Sequence, residues 1–168
     1  MMAEKPKLFV MCGMSGSGKT TFAKRLCESR ELRYINPDQF YALYNGDERN
    51  HDNEFEVWMA VYRALHIAGQ AGLDTILDTN CPTFSGRVQL TEWFPEFEHH
   101  LFVIQANFDL CQKNNASRSR KISEQEMRRM WSTFQYPEIQ ELKYWKSMIF
   151  YRNMENEGFF QEHMMRHI

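Results

Sequence analysis

Gly13-Met14-Ser15-Gly16-Ser17-Gly18-Lys19-Thr20 follows directly on the apolar run Leu8–Cys12. Its glycines let a short loop curl until successive backbone N–H groups converge on one anion. Lys19 adds a point charge aimed at the outer phosphates, and the Thr20 hydroxyl is a hard-oxygen ligand for Mg²⁺. The pattern predicts a bound nucleoside triphosphate, read as ATP with Mg²⁺. Gly13, Ser15, Gly16, Ser17, Gly18, Lys19, Thr20 and Thr21 are its expected contacts. Such a loop identifies the phosphoryl donor and leaves the recipient open between water and a second molecule.

Three further groups bear on the recipient. Asp38 follows a short apolar segment in Ile35-Asn36-Pro37-Asp38. Its carboxylate suits the removal of a proton from an attacking hydroxyl, and equally suits a helix cap after Pro37, so spacing alone leaves both roles open. Asp78 ends Thr75-Ile76-Leu77-Asp78, where it can hold Mg²⁺, orient an acceptor, or act as a turn residue. Asn80 and Tyr41 are expected on the acceptor's side. Arg118, Arg120 and Lys121 form a basic segment ahead of Ser123, suited either to covering phosphates or to a solvated turn. A guanine-nucleotide switch is disfavoured: Asp78 is followed by Thr79-Asn80-Cys81 in place of Asp-x-x-Gly, and Asn-Lys-x-Asp does not occur. A motor ATPase is disfavoured by the single carboxylate at the end of that segment.

The elements that must position these groups alternate between strand and helix. Lys7–Cys12 reads as a buried strand and Lys19–Arg30 as a helix opening inside the glycine loop. Leu32–Asn36 is a short second strand stopped by Pro37, with a helix from Asp38 to about Tyr44. In Glu54–Ala71, residues Phe55, Trp58, Met59, Tyr62, Leu65 and His66 recur at helical spacing and predict one apolar face. Asp74–Thr79 and Leu101–Ala106 are the third and fourth strands, with a helix over Thr83–Phe94 between them. Asp109 is placed to cap a helix through Ala116, and Ser123 with Glu126 to form a capping box ahead of Met127, Met130, Trp131 and Phe134. A fifth strand is expected near Ile149, then a terminal helix. This order predicts an α/β domain with about five parallel strands, helices on both faces and a basic lid. Ligands in such sheets bind beyond the carboxyl ends of the strands.

The chain has 168 residues, 43% hydrophobic and 25% charged, with a formal charge of −2, as expected of one globular domain without a global basic field. Cys12, Cys27, Cys81 and Cys111 form no Cys-x-x-Cys pair, so free thiols in a reducing compartment are expected. No stretch has the length to span a membrane and no secretion signal is evident, which together predict a cytoplasmic protein with no membrane partner and no obligate protein partner. His163 and His167 stand four apart near the C-terminus; histidines facing solvent at a helix end explain them better than a metal site. Tyr41 and Tyr44 are candidates for stacking on a base, with core packing the alternative. Phe159 and Phe160 are expected to dock on the body, and the stretch 153–157 to lie near a nucleobase.

Taken together, "GMSGSGKT", "INPDQF", Asp78-Thr79-Asn80 and Arg118 before a helix resemble the 5′-hydroxyl polynucleotide kinase-like branch of P-loop kinases, over roughly Lys7 to Arg152. The resemblance implies a P-loop NTPase fold, a base role for Asp38 and a lid role for Arg118 and Arg120. It implies an ATP-dependent kinase acting on a hydroxyl, either a nucleic-acid 5′ end or a small molecule such as a nucleoside, sugar or sugar nucleotide. A regulatory or toxin-like nucleotide-binding module is the alternative outside enzymes. Two departures remove phosphate-gripping charge: Tyr41 stands where these kinases often carry Arg, and Asn114 where Arg-Asn-x-x-Arg begins.

Overall fold

The computed structural model describes residues 4–47, 52–118 and 121–166. Six strands form one sheet: β1 (Lys7–Cys12), β2 (Arg33–Ile35), β3 (Thr75–Leu77), β4 (Glu98–Gln105), β5 (Ser147–Asn153) and β6 (Phe159–Arg166), in the spatial order β2-β3-β1-β4-β5-β6. The first five are parallel, as their helical crossovers require. The crossovers are helices α1 (Lys19–Ser29), α2 (Pro37–Asn45), α3 (Glu54–Gln70), α4 (Phe84–Trp93), α5 (Phe108–Ala116) and α6 (Glu124–Thr133), with a 3-10 turn over Ile139–Lys143.

Alternation along β1 divides the core between the two faces of the sheet. Leu8, Val10 and Cys12 face Val61, Leu65 and Ala68 of α3 and Leu90 of α4. Phe9 and Met11 face Ala23 and Phe22 of α1 together with Phe102 and Ile104. A third cluster, Met14, Leu110, Cys111 and Met127, lies between the glycine loop, α5 and α6.

Four expectations are corrected. The terminal helix is strand β6, antiparallel to β5. Gly158, at φ 86°, turns the chain back, and Met154 N–H donates to Gly158 O at 2.7 Å; the outer edge of β5 then gains a partner, which local helix propensity cannot supply. On α3 the buried stripe is Val57, Val61, Leu65 and Ala68; Phe55 is 73% exposed, Met59 is exposed, and the exposed His66 pairs with Glu96. Asn107, through Oδ1, caps α5 in place of Asp109, which sits in the first turn. The capping box at α6 is half formed: Ser123 Oγ accepts from Glu126 N–H, while the Glu126 carboxylate turns to Arg129.

Candidate active site

The glycine loop joins the carboxyl end of β1 to α1, so its N–H groups and the positive end of the α1 dipole share one region. Close packing dictates glycine at two points. At Gly16 (φ 83°) a Cβ would sit 2.4 Å from Cys111 O, and at Gly18 (φ 100°) 2.6 Å from the Asn153 side-chain nitrogen. Two side-chain amides from distant elements fix the loop's carbonyls: Asn114 Nδ2 donates to Gly16 O at 2.8 Å, and Asn153 Nδ2 to Ser17 O at 2.9 Å. Both bonds tie loop carbonyls to the body of the domain.

Lys19 is buried, 6% exposed, and its ammonium donates to Met14 O at 2.8 Å. Among the described residues it forms no ion pair. Burial pulls its pKa down to about 8; the charge of Asp78 opposes that shift and that of Arg118 adds to it. A buried ammonium in the glycine loop at the start of a helix is the complement of a polyphosphate.

Asp78 is buried at the end of β3. Tyr34 Oη, from β2, donates to its Oδ2 at 2.7 Å, and Asn36 Nδ2 to the same oxygen at 3.2 Å. The other end of Asn36 caps α2, accepting from Asp38 N–H at 2.8 Å. One side chain therefore ties Asp78 to the helix that carries Asp38. It also settles one alternative left open by sequence: the cap of α2 is Asn36 and not Asp38. Burial beside the Asp78 carboxylate, with the hydrogen bond to it, pushes the Tyr34 phenol well above its ordinary value, so the phenol stays a proton donor to Asp78.

These groups line one cleft of about 1220 Å³ at the carboxyl ends of the strands. It contains Ser15, Gly16, Gly18, Lys19, Thr20 and Thr21 from the loop, Asp38 and Tyr41 from α2, Asp78 and Asn80 after β3, and Arg118 with Lys121. Asp38 is half-buried there and Arg118 exposed. Two expected loop contacts lie behind the cleft: Gly13 N–H donates to Asn80 O at 3.1 Å, and Ser17 N–H to Met14 O at 3.0 Å with its side chain fully buried. Tyr41 is 3% exposed, which removes it as a stacking surface; Tyr44 is exposed and Phe159 packs on Phe22, while Phe160 points outward at 64% exposure. Arg120 and His167 lie outside the described residues, and His163 stacks on Phe150 within a strand. Sequence reasoning missed Tyr34, Asn36, Glu54 and Trp58, all of which line the cleft; Asn153 and Glu155, from the stretch expected near a nucleobase, line it too. Only Asn36 carried a local signal, the Asn-Pro start of a helix.

The donor set fits a hard divalent cation. Thr20 offers a hydroxyl and Asp78 a buried carboxylate in the same cleft, and Mg²⁺ takes one or two such protein oxygens, filling its remaining positions with phosphate oxygens and water. Among the described residues no cluster of three or more His, Cys, Asp or Glu forms an all-protein metal cage.

The sequence profile of a family described as an AAA domain matches residues 8–137. By structure the chain is similar to a sugar kinase from Janibacter sp. (TM-score 0.66, 18% identity, covering 88% of this chain and 85% of that one). It is similar to a chain of the Pnkp1/Rnl/Hen1 RNA repair complex (TM-score 0.72, 16% identity, 79% of this chain and 45% of that one). It is also similar to Kti12 from Chaetomium thermophilum in complex with ADP-AlF3 (TM-score 0.70, 17% identity, 89% of this chain and 92% of that one). Identities this low establish a shared fold. No curated protein matches at a significant level by sequence. Among the described residues no helix is long and apolar enough to cross a membrane.

Proposed function

This chain belongs to the AAA domain family, and on that premise we propose that it is a kinase moving the γ-phosphate of ATP to a hydroxyl. The observation that carries the reading is one cleft holding both a buried, ion-pair-free lysine in a phosphate loop and the Asp38 carboxylate of α2. The loop N–H groups and Lys19 bind the triphosphate. Asp38 takes the proton as the acceptor oxygen bonds to the γ-phosphorus. The bond from that phosphorus to the β–γ bridging oxygen breaks, its electron pair leaves on ADP, and Arg118 neutralises the charge of the moving phosphoryl group. Thr20 and Asp78 would hold Mg²⁺, which when bound screens the β- and γ-phosphate charge. Most of the acceleration in such a site comes from alignment and fixed charge.

The acceptor is read first as a polynucleotide 5′-hydroxyl, from the order of loop, Asp38, Asp78-Thr79-Asn80 and Arg118. A small hydroxyl compound is the second reading, and one observation favours it. Position 41 holds a buried tyrosine, and the amide of Asn114 is committed to Gly16 O, so neither position offers a cation to an acceptor phosphate. The test is the fate of γ-labelled ATP with a 5′-hydroxyl oligonucleotide, nucleosides, sugars and sugar nucleotides side by side. Label on one acceptor class is the expected result. Tight ATP binding with label on none of them would overturn the kinase reading in favour of a nucleotide-binding module. If the oligonucleotide is the acceptor, its affinity falls steeply with salt.

A further inference from the structure

Two consecutive asparagines in the last turn of α5 point to opposite sides of the candidate site. Asn114 holds the phosphate loop through Gly16 O. Asn115, 7% exposed, makes a two-point clasp on Ile122: its Nδ2 donates to Ile122 O at 2.7 Å and its Oδ1 accepts from Ile122 N–H at 2.9 Å. Ile122 packs on the apolar cluster of Met14, Leu110 and Cys111, directly beneath the loop. The backbone of Asn115 also accepts from Arg118 N–H at 3.2 Å. Arg118 and Lys121 thus emerge on either side of a buried amide and line the cleft.

We propose that Asn115 is a positioning residue for Arg118, fixing the backbone that presents the guanidinium to the phosphates, while Asn114 positions the loop itself. Neither side chain needs to touch the nucleotide. The asparagine amide is the side chain suited to this task, since it supplies a donor and an acceptor at the spacing of a backbone peptide. An aspartate keeps the acceptor for Ile122 N–H and sets a carboxylate oxygen against Ile122 O; alanine keeps neither bond and leaves both peptide groups without their partner. The catalytic part of this assignment rests on the kinase reading above; the clasp itself does not.

The experiment has two arms on the full chain. Limited trypsin digestion reads exposure of the bonds after Arg118, Arg120 and Lys121 in the wild type, Asn115→Ala and Asn115→Asp, with a thermal melt of each. Loss of two hydrogen bonds is expected to speed cleavage at these three bonds about tenfold or more, with cleavage outside 118–122 unchanged. Transfer kinetics then separate the two asparagines. Asn115→Ala is expected to lower kcat by about 10–100-fold with ATP affinity within about threefold of wild type, and Asn114→Ala to weaken ATP affinity instead. The double variant Asn115→Ala/Arg118→Ala is expected to be no slower than Arg118→Ala alone, because the two residues act as one unit. Additive losses, or unchanged cleavage in both Asn115 variants, would overturn the assignment. Should Asn115→Ala not fold, Asn115→Asp carries the same measurements. If wild-type protein transfers no label at all, the kinase reading fails while the digestion arm still decides whether the clasp holds Arg118.

Discussion

Lys19 and Arg87 are both buried cations, and the protein treats them in opposite ways. Arg87, fully buried on α4, is saturated: Nε and Nη2 donate to the two oxygens of Glu141 at 2.8 and 2.7 Å, and Nη1 donates to Cys81 O at 3.0 Å. Burial works against its charge, and the Glu141 hydrogen bonds together with the electrostatic pull of Cys12, Glu141 and Cys81 outweigh it, leaving its pKa raised. Lys19 has one carbonyl for company, and burial wins. The first arrangement is complete without a ligand. Its bond to Cys81 O anchors the backbone where Cys81 takes a φ of 45°, three residues past Asp78. In the second, the ammonium has one carbonyl partner, and the proposed triphosphate would complete it. Burial and charge are common to both; what distinguishes the cation that the kinase reading assigns to the triphosphate is its shortage of partners.

That contrast can be broken experimentally. Arg87→Met leaves the Glu141 carboxylate buried and unpaired, and is expected to destabilise the fold by about 3–5 kcal/mol. Urea unfolding measures this, and a loss under about 1 kcal/mol would remove the structural role. Lys19→Met is expected to do the reverse. The unliganded fold stays at least as stable as wild type, while kcat/KM for ATP falls about 10²–10³-fold. A marked loss of stability in this variant would mean that the ammonium is already satisfied.

The smallest effect is linked to pH. The Lys19 ammonium has a pKa of about 8 in the unliganded fold against 10.5 ordinarily. Between those values the unfolded chain holds more protons, so this group makes stability rise with pH across the window from 8 to 10.5. A bound triphosphate restores the charged form. Calorimetry at about pH 9 in buffers of different ionisation enthalpy is therefore expected to show uptake of a fraction of a proton on ATP binding, absent in Lys19→Met. Equal uptake in both proteins would assign the proton to another group.

Much of this contrast was legible in the sequence on one side only. The phosphate loop is contiguous, so its residue types declare its chemistry, and the strand–helix alternation around it predicts the parallel sheet. Asp38 and Asp78 were legible as candidates because both follow short apolar strands. The long-range contacts around the site were not. Tyr34 reaches Asp78 across 44 positions, Arg87 reaches Glu141 across 54, and Asn153 reaches the loop across 136. No local periodicity encodes such pairs, because they exist only once the strand order is set. The α3 face was misread for a related reason: Phe55 and Met59 are strongly apolar, yet the sheet selects the neighbouring valine stripe. Strand β6 was misread because its pairing depends on the open edge of β5, which lies outside its own sequence.

The central claim is that Asp38 acts on the acceptor across the cleft from the phosphate loop. Single-turnover transfer from γ-labelled ATP by Asp38→Asn, with ATP affinity measured in parallel, tests it most directly. The expected result is wild-type ATP affinity with phosphoryl transfer slowed by about 10²–10⁴-fold. Transfer at the wild-type rate in that variant would contradict the account.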